Sequence, residues 1–227
     1  MTDTAPAADL PLEHVHVAPD EESDGLAPAV FVLHGRGADE ADLLPVAAEL
    51  PDELRVVSLR APDPLYGGYT WYELDLSAGG LESSQPDPDE FRRSLDLIVE
   101  SVDAAVDAYG IDPDRVGLLG FSQGAIATLS LLFADPDRYA WVVALHGYLA
   151  ESHADRDGIE GKPVFVGSGD GDRVIPAERA ERAVDRLESA GADVTHGGFP
   201  GGHGIGSQEL AAVVEFVESR VAEGRPR

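Results

Sequence analysis

VGLLGFSQGAIATLSLL, residues 116–132, is an apolar run interrupted at Gly120-Phe121-Ser122-Gln123-Gly124. A buried strand that hands over to a helix needs a turn, but it does not need glycine on both sides of a lone serine. Two glycines at that spacing fit a turn so tight that the backbone crosses itself, leaving no room for a Cβ on either side. The stretch therefore predicts a strand, a nucleophile elbow with Ser122 at its tip, and a helix.

Outward from the elbow, short valine- and leucine-rich runs recur: Ala29–Leu33, Arg55–Leu59, Val116–Gly120, Trp141–Leu145 and Pro163–Gly167. They are apolar on both faces, the pattern of parallel strands covered on both sides. The alternating segment Leu12–Val17 predicts an antiparallel edge strand, and Asp193–Phe199 a last strand. Helical patterns fall at Asp39–Leu50, Asp89–Tyr109, Ser122–Ala134, Ala177–Ala190 and Gly206–Ala222. In Ala177–Ala190 the charges form a solvated face, with Glu178 four residues before Arg182, and Gly191 is its stop signal. Such alternation predicts one three-layer α/β domain over residues 11–222, a mostly parallel sheet between helices. Residues 1–10 and 223–227 read as loose tails. The long irregular segment Arg60–Pro88 carries Tyr66, Tyr69, Trp71 and Tyr72, too many aromatics for a featureless loop.

A serine hydroxyl is a poor nucleophile unless a base takes its proton and an acid orients that base. In the order that accompanies a nucleophile elbow of this G-x-S-x-G type the acid follows the nucleophile and the histidine comes last. SGDGDRVIP, residues 168–176, offers Asp170 and Asp172; Asp172 is preferred because Val174 and Ile175 can pack its loop down. PGGHGIG, residues 200–206, offers His203 among glycines that let a ring approach the elbow, whereas its rival His196 falls inside the last strand. His14, His16 and His153 have no expected catalytic role. Oxyanion donors, each worth ~3 kcal/mol, are expected from the backbone N–H of Gln123 and of Arg36, the latter in LHGRGADEADLLP, residues 33–45. That loop lacks the G-x-G-x-x-G spacing of a dinucleotide site, and neither a calcium loop nor a histidine pair at metal spacing is found.

Composition narrows the partners. With 16 Lys+Arg against 43 Asp+Glu, the formal net charge is −27, which disfavours nucleic acid and anionic membranes. Lys162 is the lone lysine, and acidity spread over every segment reads as adaptation to a salt-rich cytoplasm. There is no cysteine to form a disulfide, act as nucleophile or bind a metal. No signal peptide or membrane span is evident. G-x-S-x-G alone is a weak signal; its weight comes from the strand before it, the helix after it and the order of the other groups.

LHGRGADEADLLPVA, GFSQGAIATL, GDRVIP and GGHGI together resemble the phospholipase/carboxylesterase family of α/β hydrolases, over about Ala29 to Val217. The resemblance implies a serine hydrolase with Ser122 as nucleophile, Asp172 as triad acid and His203 as general base, with main-chain donors at Arg36 and Gln123. It implies no cofactor, a small-molecule acyl ester as substrate, with thioesters or lysophospholipids as alternatives, and a monomer or homodimer. A non-catalytic ligand-binding receptor on the same fold is the alternative of another class. GGYTWYEL, residues 67–74, resembles the family's substrate loop, making Trp71 and Tyr72 pocket candidates, although either can equally be a core aromatic. The family often has a small residue where this chain has His146, a departure that puts a titratable ring near the cleft. Without a long helical insertion the cap is minimal, and an open site for short or flexible acyl groups is expected.

Overall fold

The computed structural model describes residues 8–19, 25–77 and 83–223. Its centre is a seven-stranded sheet, ordered β1-β3-β2-β8-β9-β10-β11. The strands are β1 (His14–Val17), β2 (Ala27–Leu33), β3 (Arg55–Leu59), β8 (Ile111–Phe121), β9 (Trp141–Leu145), β10 (Pro163–Gly169) and β11 (Asp193–Phe199). Only β1, at one edge, runs antiparallel to its neighbour. Every residue of β2 is buried, with Ala29, Phe31 and Leu33 in one core and Val30 and Val32 in the other. A strand covered on both faces has no need to alternate polar and apolar side chains, which is why it reads as a continuous apolar run.

Helices α2 (Pro88–Tyr109), α3 (Gln123–Ala134) and α4 (Ala177–Ser189) cover one face; α1 (Leu44–Ala47) and α5 (Ser207–Glu223) cover the other. Helix α2 is bounded by its chemistry. The Asp87 side chain accepts from the amides of Asp89 and Glu90, both at 3.1 Å, and Gly110 closes the C-terminus at φ 64°. Helix α3 is buried from Gln123 to Phe133, so its sequence is apolar all round rather than amphipathic.

Two expectations change. The helix expected over Asp39–Leu50 is reduced to Leu44–Ala47. The Asp39 side chain accepts from Ala41 N at 2.9 Å, diverting the backbone into a turn, and Pro45 supplies no N–H, which suits a first helical turn but not an interior. The segment Arg60–Pro88 contains two small hairpins. Strands β4 (Asp63–Leu65) and β5 (Gly68–Thr70) pair through a turn with Tyr66 and Gly67 both at positive φ, and β6 (Leu74–Asp75) pairs with β7 (Gln85–Pro86). Most of the expected tails lies outside the described residues. Of the described part, Ala8 N donates to the Tyr109 hydroxyl at 3.1 Å and Leu10 packs on the core.

The two elbow glycines are required by packing. A Cβ on Gly120 would overlap the carbonyl of Gly124, and one on Gly124 would overlap that of Leu33 at the end of β2. Both obstacles are backbone, which cannot swing aside. Gly124→Ala is expected to cost about 3 kcal/mol or more in urea unfolding. Gly158→Ala, at positive φ with open space around it, should cost only about 1 kcal/mol. Equal losses would show that the elbow is not tightly packed.

Candidate active site

All the candidate groups lie on segments that leave the C-terminal ends of neighbouring parallel strands, where α/β sheets place their sites. The loop His34–Ala38 follows β2, Ser122 follows β8, His146 follows β9, Asp172 follows β10 and His203 follows β11. Ser122 adopts φ 54° and ψ −115°, a backbone conformation costly for a residue with a Cβ. It is held by Ser122 N donating to Leu145 O at 2.9 Å and Ile126 N donating to Ser122 O at 3.1 Å. The loops carrying Asp172 and His203 are knit together, with Asp170 N donating to Phe199 O at 2.9 Å and Gly171 N to Gly201 O at 2.8 Å.

A continuous hydrogen-bonded chain results. His203 Nε2 lies 2.9 Å from Ser122 Oγ, and His203 Nδ1 lies 2.7 Å from Asp172 Oδ2. The other carboxylate oxygen of Asp172 accepts from Val174 N at 2.8 Å and Ile175 N at 2.9 Å; of the two side chains expected to pack the loop down, Ile175 is buried and Val174 is exposed. Burial opposes ionisation of Asp172. The bonds from His146, His203 and the two amides outweigh it and hold the carboxyl below its usual range. Asp170 is exposed, and His196 is exposed on β11. His14 and His16 sit against Tyr109 far along the chain at β1, and His153 contacts Ser152 and Phe91. His34 is fully buried as a scaffold: its Nδ1 faces Gly35 O at 2.7 Å and its Nε2 accepts from Ala61 N at 3.0 Å. Burial holds its pKa below that of an ordinary histidine, so the ring is neutral at pH 7.

Beside Ser122, the amides of Arg36 and Gln123 enter no hydrogen bond among the described residues, whereas Gly37 N and Ala38 N are occupied by Tyr69 O and Gly35 O. The Arg36 side chain instead reaches Glu73 at 3.3 Å on the surface. Gln123 contributes something that sequence reasoning missed. Its buried side chain accepts from Thr70 Oγ1 at 3.0 Å and Trp71 N at 3.2 Å, and donates to Tyr72 O at 2.7 Å. One side chain thus clamps the 70–72 segment to the elbow. Gly68 packs so closely on Gly37 that a Cβ would overlap its carbonyl, which couples the same hairpin to the Arg36 loop.

Of the three residues expected at the pocket, none presents surface. Trp71 and Tyr72 are fully buried core aromatics: the Trp71 indole N–H donates to His34 O at 2.8 Å, and Tyr72 packs edge-on against Phe91. His146 lies behind the chain, 1% exposed, at φ 54°. Its Nδ1 is 2.9 Å from Asp172 Oδ2, and its Nε2 is 3.1 Å from Oε2 of Glu209, a residue no motif pointed to. Glu209 sits on the buried stripe of α5 with Val213, Phe216 and Val217, and a carboxylate on an apolar stripe is the signal that marks it in the sequence. Ligand atoms of His146, Asp172 and His203 all lie within 4.8 Å of one another. They converge because both imidazoles share one carboxylate oxygen at hydrogen-bond distance, so an ion there would have to displace those bonds.

Comparison with known proteins agrees with this architecture. The family model described as Phospholipase/Carboxylesterase matches residues 14–221. An acyl-protein thioesterase 1 of Gibberella zeae is 25% identical over 188 residues, covering 79% of this chain and 76% of that protein. The acyl-protein thioesterase 1 of Neurospora crassa is 27% identical over 189 residues, covering 75% of each. The crystal structure of a Bacillus cereus carboxylesterase superposes with a TM-score of 0.81 at 26% identity, over 92% of this chain and 94% of that one. A seven-stranded, mostly parallel sheet with its polar groups gathered at the strand ends, and a family match that spans nearly the whole domain, place the chain in the phospholipase/carboxylesterase family of α/β hydrolases.

Proposed function

We propose that the chain is a serine hydrolase that cleaves carboxylic esters through a Ser122–His203–Asp172 triad. The observation that carries this reading is the unbroken hydrogen-bonded path from the Ser122 hydroxyl through both ring nitrogens of His203 to the Asp172 carboxylate. Ser122 Oγ attacks the acyl carbonyl while its proton passes to His203 Nε2. The carbonyl oxygen becomes an oxyanion opposite the free amides of Arg36 and Gln123. When the intermediate collapses, the C–O bond to the leaving alcohol breaks and His203 returns the proton to the departing oxygen. Water, deprotonated by the same ring, then attacks the acyl-enzyme and releases the acid with Ser122 restored. Asp172 remains ionised throughout, orienting the ring and stabilising the imidazolium that forms.

Hydrolysis of thioesters is the second reading, favoured by the relatives named acyl-protein thioesterase 1. The same acyl-enzyme serves both, because only the leaving atom differs. A salt-rich cytoplasm is the setting we infer, resting on the net charge of −27. Among the described residues no helix is long and apolar enough to cross a membrane.

Two measurements bear on this reading. Steady-state hydrolysis of chromogenic acyl esters of increasing chain length in molar potassium chloride is expected to show multiple turnovers, with Ser122→Ala lower by roughly ten-thousand-fold or more. A folded protein that turns over no ester or thioester would favour the ligand-binding receptor, and full activity in Ser122→Ala would remove the serine from the mechanism. Separately, the melting temperature is expected to climb as potassium chloride rises from about 0.1 M to about 2 M, because screening relieves self-repulsion among the carboxylates. A melting temperature insensitive to salt would contradict the inferred setting.

A further inference from the structure

We propose that His146 and Glu209 are positioning residues that extend the triad: an imidazolium at His146, held between the Glu209 and Asp172 carboxylates, pins Asp172 and weakens its hold on the His203 proton. The inference rests on the serine-hydrolase reading for its consequence, and on geometry for its substance. Each ring nitrogen of His146 faces a carboxylate oxygen, Asp172 Oδ2 at 2.9 Å and Glu209 Oε2 at 3.1 Å. A neutral imidazole has one N–H, so it could satisfy only one of two ionised carboxylates; the imidazolium donates to both. All three side chains are buried, where a carboxylate needs a partner to stay charged. His146 is the only hydrogen-bonding partner of the Glu209 carboxylate among the described residues. Gly167 makes space for that carboxylate, since a Cβ there would overlap Glu209 Oε1.

The groups around the His146 ring come from every packed element: Asp172 after β10, Glu209 on α5, His203 after β11 with ring centroids 5.4 Å apart, and the uncharged Phe121 ring of β8. Burial opposes protonation of His146, but hydrogen bonds and charge from Glu209 and Asp172 outweigh it and hold its pKa above that of an ordinary histidine. Asp172 Oδ2 accepts from both imidazoles, so His203 receives only part of the carboxylate's attraction. A buried cation at His146, its ring centroid 5.4 Å from that of His203, opposes a second positive charge on the His203 ring.

The test is the pH dependence of kcat/KM for the parent, Glu209→Gln and His146→Asn, with melting curves for each and Ser122→Ala alongside. Gln keeps the shape of Glu209 and removes its charge, and Asn tolerates the left-handed backbone at position 146. Both variants are expected to move the acid limb upward by about one pH unit. Folded variants with an unmoved or lowered acid limb would overturn the proposal, leaving a merely structural pair. Should both variants fail to fold, nitrogen-edited NMR of the parent decides. It should show one histidine with two protected ring N–H protons that stays charged through neutral pH, and its absence would equally overturn the proposal. Turnover that survives in Ser122→Ala would instead fail the underlying reading, a result the NMR signature does not depend on.

Discussion

Helix α3 leaves the sheet so steeply that Gly124 lies against the carbonyl of Leu33 and Gly120 against that of Gly124. This close approach governs the rest of the site. It forces Ser122 to positive φ, a strain of about 1–3 kcal/mol that only a well-packed surround can hold. Helix α3, buried from Gln123 to Phe133, supplies that surround. The same approach brings the end of β2, and with it the Arg36 loop, alongside the first amide of α3. Were the helix a few ångströms further out, the serine would relax and the two free amides would separate.

The second organising constraint is charge. Among the described residues most carboxylates are solvated, while Asp172 and Glu209 are taken inside. Burying an ionised carboxylate costs several kcal/mol unless hydrogen bonds replace its water. Asp172 receives two amides and two imidazoles in its place, which ties the loops after β9, β10 and β11 to one group. Among the described residues Glu209 has only His146, and its presence in the core is intelligible through that ring. The surface arginines are used differently: Arg60 makes a bidentate pair with Glu40 while stacking over Tyr69, fastening the Arg36 loop to the hairpin that Gln123 also holds.

The strands and the elbow are legible in the sequence because burial on both faces leaves unbroken apolar runs and because glycine is the only residue that fits where two backbones touch. The order of Asp172 and His203 is legible for a related reason: each follows a strand, and strand ends on one sheet converge. What the sequence conceals are contacts between residues distant along the chain. Nothing near Gln123 announces that its amide will clamp Thr70, Trp71 and Tyr72, and nothing near His146 announces Glu209. The helix expected over Asp39–Leu50 shrinks to Leu44–Ala47 because the turn at Asp39 and the proline at 45 override its apolar period. Trp71 and Tyr72 could be read as pocket or core from sequence, and their indole and ring contacts place them in the core.

The central claim is that Ser122, and no other hydroxyl, is made nucleophilic by His203. Its most direct test is reaction of the folded protein with a fluorophosphonate, followed by mass mapping of the adduct in the parent and in His203→Ala. The account predicts one phosphonyl group per chain, located on Ser122, and labelling slowed by orders of magnitude in His203→Ala. An adduct on another residue, or labelling of Ser122 that proceeds equally fast without His203, would contradict it.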